Sequence, residues 1–378
     1  MMNEDQFRCP WAAVALAAAI LAPATALAAE TGGDFLANTR HHTTVGSMVP
    51  ANGDQNPYGI VVAPVSAGKV QKGDLLVTNF NNAKNLQGLG TTIIDYNPTT
   101  KKVSVFAQLD PKLAQCPGGV GLTTALTMLT SGWVIVGSLP SSDGTTATKG
   151  TGCLIVLNSQ GKVADTITGP NINGPWGNIA VVDRGNTATL FVSNTGFGVG
   201  APTDNSPVVK HATVLRLSLT IPAGKSPAVT GQTVVGDGFG EQADKGVFIL
   251  GPTGLALSKT GDLYVSDALG NRIAAIPDAL TRATSAGTGT TITSGGMLQR
   301  PLALAITPDG HLLTTNGLNG QVVEIDPAAG KQLSTQWIDA DKAQQPPGNG
   351  DLFGIAMAPD GQGFYCVEDD LNTLVLAH

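Results

Sequence analysis

Asn79, Ser138, Asn194, Asp267, Asn316 and Glu368 share one setting in this chain: each closes a short run of apolar and β-branched residues and opens a segment of turn residues. If the fold brings six such segments round one axis, their oxygens form a ring of carboxylate, amide and hydroxyl donors. Such a ring suits Ca2+ or another divalent cation, which accepts irregular geometry and mixed oxygen ligands. Asn79, Asn194, Asp267, Asn316 and Glu368 are therefore candidate metal ligands. Glu368 is followed by Asp369 and Asp370, and three adjacent acids repel one another unless solvated or bound to a cation. The competing reading, and the better supported, is turn chemistry alone, in which Asn and Asp accept hydrogen bonds from the backbone amides that follow.

Other reactive side chains are sparse. Of five histidines, His41 and His42 lie near the start, His311 follows a turn and His378 is terminal, and none stands at a ligand spacing. His211 is the one placed to meet a ligand. No nucleophile-elbow motif singles out a serine. Cys366, between Tyr365 and Val367, reads as a small core residue rather than a nucleophile.

The elements that must position these groups are short strands. Gly251 to Ile276, GPTGLALSKTGDLYVSDALGNRIAAI, holds three of them: Leu255 to Leu257, Leu263 to Val265 and Arg272 to Ile276, separated by turn sequences. The pattern returns around Gly59, Gly121, Gly177, Ala303 and Gly354, at intervals of 49 to 77 residues. Six units result, and all but the last are followed by one more strand-like run. The last, ending at Leu374 to Leu376, lacks an outer strand. His42 to Met48 is the unassigned segment that can supply it.

Pro-x-Gly-φ-Ala, then Gly-Asp-φ-Tyr-Val-x-Asp, then Asn-Arg-Ile resembles the NHL repeat of β-propeller proteins. The resemblance implies an all-β fold: a six-bladed β-propeller of four-stranded antiparallel blades, over residues 40–378, closed by pairing the N-terminal strand with the last blade. Closure removes exposed sheet edges. It also implies that Asp267 pairs with Arg272. The inner third of unit three is read at Pro175-Trp176-Gly177 and its outer strand at Gln232 to Val235.

In that architecture the long loops share one face, the top: Phe80 to Gly90, Leu139 to Gly152, Thr195 to His211, Gly236 to Gly251 and Asp339 to Asp351. Long loops carry ligands more often than short ones. Phe80, Phe197 and His211 are candidate ligand-surface residues, while Trp176 and Phe353 occupy matching positions that suggest packing between blades. Cys116 precedes unit two and Cys153 starts its third strand, so the topology puts both on the top face, and a disulfide between them is expected.

A more distant similarity is to six-bladed lactonases resembling senescence marker protein 30, which hold a catalytic metal with two Asn, one Asp and a Glu. Asn79 or Asn194, Asp267 and Asn316 fit the Asn and Asp places. The Glu beside the first inner strand is missing, because Gln55-Asn56-Pro57-Tyr58-Gly59 has no acid nearer than Asp54. Streptogramin lyases and peptidyl-amidoglycolate lyases, also propellers, need a histidine at the channel mouth, and no second-strand end here carries one.

Trp11 to Ala22 followed by Ala26-Leu27-Ala28 reads as a secretory leader over residues 1–28, with a flexible segment at 29–39. A periplasmic or secreted location follows as an expectation. The formal charge of −7 leaves no basic footprint for nucleic acid, and no later apolar stretch approaches a membrane span. Two functions remain: a non-catalytic binding or scaffold protein offering its top face to a small molecule, peptide or protein, or a metal-dependent lactonase or hydrolase at the channel mouth.

Overall fold

The computed structural model describes residues 35–378, so the leader read at 1–28 lies outside the described residues. The chain winds into six antiparallel sheets. Blade 1 is Gln55–Val62, Leu75–Asn81, Thr92–Asn97 and Lys102–Gln108, in sequence order from the inside out. Blade 2 is Leu122–Met128, Val134–Ser138, Cys153–Leu157 and Val163–Ile167. Blade 4 comprises Pro252–Leu257, Leu263–Asp267, Arg272–Ile276 and Thr290–Ser294, and blade 5 comprises Pro301–Ile306, Leu312–Asn316, Gln321–Asp326 and Lys331–Trp337. Blade 6 draws three strands from the end of the chain, Leu352–Met357, Phe364–Glu368 and Thr373–Ala377, and its outer strand from the beginning, His42–Ser47. His42 pairs with Ala377 and Thr44 with Val375, which closes the ring.

Burial follows blade position. The second strand Leu75–Asn81 is buried at every residue because both of its faces meet neighbouring blades, whereas the outer strand Lys102–Gln108 is largely exposed. Leu76, Ile93 and Phe106 of blade 1 share one core cluster with Val134, Val136 and Ile155 of blade 2. Each such side chain contributes roughly 1.5–3 kcal/mol when fully buried.

A repeated hydroxyl also links the blades. Thr78 Oγ1 accepts the Gly59 N–H (2.8 Å) of its own blade and donates to the Thr123 carbonyl (2.8 Å) of the next. Ser193 does the same between Gly177 N–H (3.0 Å) and the Thr253 carbonyl (3.2 Å). Ser266 bridges Gly254 N–H and the Leu302 carbonyl, and Thr315 bridges Ala303 N–H (3.2 Å) and the Phe353 carbonyl (2.7 Å). Inner strands at the tapering axis cannot all pair with sheet neighbours, so these hydroxyls satisfy backbone groups that would otherwise be buried alone. In blade 2 the equivalent residue is Gly137, where a Cβ would lie 2.6 Å from Ala125 Cβ; Thr123 Oγ1 there reaches the Pro175 carbonyl (2.7 Å) instead.

Blade 3 departs from the expected layout. Its strands are Ala180–Asp183, Thr187–Asn194, Val209–Thr220, Ala228–Asp244 and Phe248–Leu250, making five. The inner strand starts three residues beyond Gly177, and Pro175 makes only an isolated bridge to Asn194. The stretch 236–251, expected as a loop, is a β-ribbon that turns over and pairs Gln242 with Leu250. Gly236, Gly238 and Gly240 read as turn punctuation in sequence, but here they serve a long bent strand whose register with Val209–Thr220 shifts repeatedly. The described part of the segment expected to be flexible, Phe35–Asn38, is a 3-10 turn tied down: Phe35 and Leu36 N–H donate to the buried Glu324 carboxylate at 3.0 and 2.9 Å. No helix among the described residues is long and apolar enough to cross a membrane.

Candidate functional site

The ring residues stand at or beside the ends of the second strands, all buried, and differ in how much of their bonding capacity is spent. Asp267 accepts from Arg272 Nε (2.9 Å) and Gly270 N–H (2.9 Å). Asn316 accepts from Gln299 N–H (2.9 Å) and donates to the Met297 carbonyl (3.0 Å) and Asn319 Oδ1 (3.1 Å). Ser138 bonds Gly121 N–H and the Gly119 carbonyl. Asn79 donates to the Met48 carbonyl (2.9 Å) and Asn194 to the Val192 carbonyl (3.4 Å), and each keeps an unpartnered Oδ1. Glu368 accepts from Thr373 Oγ1 (2.6 Å), and burial pushes its carboxyl above the usual range. Asp54, the acid nearest the first inner strand, is occupied by Thr91 N–H and the Thr91 and Thr92 hydroxyls.

The channel mouth is filled by aromatic rings rather than open. Phe80 stacks on Tyr58 with centroids 5.0 Å apart, Trp176 meets both edge-on at 5.4 Å, Phe353 lies 4.4 Å from Tyr58, and Phe248 reaches Phe80 at 5.5 Å from the extra hairpin of blade 3. Phe248 turns inward with φ +66°, a left-handed backbone that a bulky residue keeps only under strong packing. Phe80, taken in sequence as a loop residue, belongs to strand Leu75–Asn81 and is 2% exposed. Trp176 and Phe353, expected to pack between blades, join this plug.

Above the plug lies a pocket of about 370 Å3 whose lining includes Asn56, Tyr58, Arg300, Asp351, Phe353 and Asp369. Arg300 is half-buried and its guanidinium has no hydrogen-bond or ion-pair partner among the described residues. Burial, then Asp370, pushes Asp369 up to about 7. Behind Asp351 stands an acidic trio, Asp339, Asp351 and Asp370, each offering a carboxylate oxygen within 4.8 Å of the others. Asp339 and Asp351 are 7% and 4% exposed, and Oδ2 of each has no partner, as does Gln344 Oε1 nearby. Burial, then a carboxyl–carboxyl hydrogen bond with Asp339 and the charge of Asp370, raise the Asp351 carboxyl to about 8, against a smaller lowering by Gln344, so Asp351 and Asp339 can share a proton when no cation is bound. Two buried carboxylate oxygens side by side require a proton or a cation between them. Of these residues, sequence reading marked only the Glu368-Asp369-Asp370 run. Asp339 and Asp351 flank a long loop, and their spacing gives no sign that they meet.

On the same face, Phe197 and His211 come together: His211 Nδ1 donates to the Phe197 carbonyl at 3.0 Å, and both line a separate crevice with Lys149. Cys116 and Cys153 form a disulfide with Cα atoms 5.6 Å apart, and Cys366 is a buried free thiol.

No family model and no curated protein matches the sequence. Solved structures match the fold. A gluconolactonase from Xanthomonas campestris is similar with TM-score 0.53 at 15% identity, over 89% of this chain and 88% of that one. A luciferin-regenerating enzyme is similar with TM-score 0.50 at 14% identity, over 88% and 95%. At these identities the likeness establishes the architecture, a six-bladed β-propeller of the kind found among gluconolactonase-like proteins.

Proposed function

We propose that this chain is a divalent-metal-assisted hydrolase of small esters or lactones, working in the channel-mouth pocket with the ion held by Asp339, Asp351 and Asp370. The observation that carries the reading is the convergence of Asp339, Asp351 and Asp370, with two of the three buried and the Oδ2 atoms of Asp339 and Asp351 facing no donor among the described residues, beside a pocket that presents Arg300 with the charge of Asp244 acting on it. A bound ion at these carboxylates supplies Lewis-acid polarisation of a carbonyl and a more acidic water. The chain's own residues do the rest. Arg300 orients a substrate oxygen and meets developing negative charge, as a guanidinium in a half-buried site does well. Tyr58 and Phe353 form a floor that packs the substrate's apolar face and keeps bulk water from below. Export to an oxidising compartment belongs to the proposal, supported by the Cys116–Cys153 disulfide.

The similar fold of a gluconolactonase guides the choice of first substrates. Protein purified without chelator is analysed for metal, melted with and without EDTA, and screened against five- and six-membered lactones and aryl esters. About one equivalent of a divalent ion is expected, lost in Asp351→Asn, with turnover that EDTA abolishes. At a hundredfold excess of ion over Kd, binding adds about 2.7 kcal/mol of stability. No ion and no EDTA effect, or an ion retained by Asp351→Asn, would sink the reading. A bound ion without turnover leaves a non-catalytic binding protein, which the internally bonded Asp267 and Asn316 favour.

A further inference from the structure

We infer that the crevice between blades 2 and 3 on the top face is a second binding site, shaped for a small organic anion with an apolar body. Its volume is about 780 Å3, and it shares no lining residue with the channel-mouth pocket. Three loops build it: Thr146 to Lys149, Pro170 to Asn173 and Gly196 to Val199, with His211 and Thr213 at the adjoining strand. In a chain with net charge −7, no lining residue of this crevice carries a carboxylate.

Lys149 carries the inference. It is half-buried, yet its ammonium donates no hydrogen bond and has no carboxylate within 4.0 Å among the described residues. Burial lowers its pKa, against a smaller opposing pull from the Glu241 carboxylate. The side chain lies along Gly196, where a Cβ would sit 3.0 Å from Lys149 Cε and 3.3 Å from Nζ and crowd the lysine, at a φ of +90° that favours glycine. That loop is pinned from behind by Glu241, whose wholly buried carboxylate accepts from Gly196 N–H and from Phe197 N–H at 3.2 Å. Lys149 and Glu241 act on each other only across a gap wider than an ion pair, and the second Glu241 oxygen, Oε1, has no partner among the described residues.

His211 adds direction. A carbonyl can only accept, so Nδ1 bears the proton in the bond to Phe197; Nε2 of the neutral ring is then an acceptor and donates to an anion only in the protonated imidazolium. Phe197 and Val199 supply apolar wall. A carboxylate or phosphate group on Lys149, with an aromatic or aliphatic body against Phe197, matches the lysine and the apolar wall, since charge-assisted bonds are the strong ones.

The test is calorimetric titration of the whole chain with benzoate, phenyl phosphate, inorganic phosphate and neutral benzyl alcohol, repeated in EDTA so that the outcome stands apart from any ion at the channel mouth. Benzoate or phenyl phosphate should bind and benzyl alcohol should not, and which of the two anions binds tighter separates a carboxylate ligand from a phosphate one. Lys149→Met should weaken binding by about tenfold or more, and Lys149→Arg should keep it. Equal affinity for benzyl alcohol, binding unchanged in Lys149→Met, or no binding of either aryl anion would overturn the proposal.

Discussion

Replacing Thr315 by valine tests how the blades are joined. The residue is wholly buried, and its hydroxyl accepts the Ala303 N–H at 3.2 Å and donates to the Phe353 carbonyl at 2.7 Å, joining blade 5 to blade 6. Valine keeps the branched shape but strands both backbone groups in a site closed to water. Each costs about 1–3 kcal/mol, giving roughly 2–6 kcal/mol in total. A chain this long unfolds with an entropy near 0.8 kcal/mol/K, from about 2.1 cal/mol/K per residue, so the melting temperature should fall by about 3–8 °C. Thr315→Ser is the control: it keeps the hydroxyl and loses one methyl group, about 1 kcal/mol. Melting curves of both variants, checked by urea titration, decide the matter. If the valine variant is as stable as the serine variant or more so, the hydroxyl bridge contributes nothing and the reasoning fails.

The Cys116–Cys153 disulfide closes a loop with sequence separation 37, which by loop-closure entropy stabilises the fold by about 4 kcal/mol; reduction should lower the melting temperature by about 5 °C, and thiol counting in denaturant on a chain truncated after residue 28 should find one free cysteine before reduction and three after. On the opposite side of blade 1, burial and then the neighbouring Asp74 push Asp95 up to about 7. The folded state therefore holds a proton that the unfolded state releases near pH 4, so this group's contribution to stability falls as pH rises from about 4 through 7. Asp95→Asn should flatten that decline in a stability-versus-pH series, and an unchanged slope would show that Asp95 is not its source.

Much of the architecture was legible because each blade solves its packing locally. Gly261 at φ +97° and Ser258 Oγ, which accepts the Asp262 N–H at 3.0 Å, make the turn that Lys259-Thr260-Gly261-Asp262 announces. The missing outer strand of unit six could be found by counting, since an unpaired edge has to be covered by something. Blade 3 misled for the converse reason: glycine marks a turn or a bent strand with equal ease, and only the pairing of Val209–Thr220 with Ala228–Asp244 decides between them. One repeated signal went unread. Thr78-Asn79, Ser193-Asn194, Ser266-Asp267 and Thr315-Asn316 place a hydroxyl just before four of the six ring residues, and that hydroxyl, not the ring oxygen, spans the blades.

The sequence by itself determined the strand period, the turns, the number of blades and the closure of the ring, since these depend on alternation and turn chemistry within a few residues. The tertiary structure alone decided that aromatic rings from Tyr58, Phe80, Trp176, Phe248 and Phe353 fill the channel mouth, that Asp339, Asp351 and Asp370 converge, and that Lys149 lines a crevice whose walls carry no carboxylate. Those are meetings of groups from different blades, and in a ring of sheets the distance between two loops is set by the rotation between blades, which no local pattern encodes.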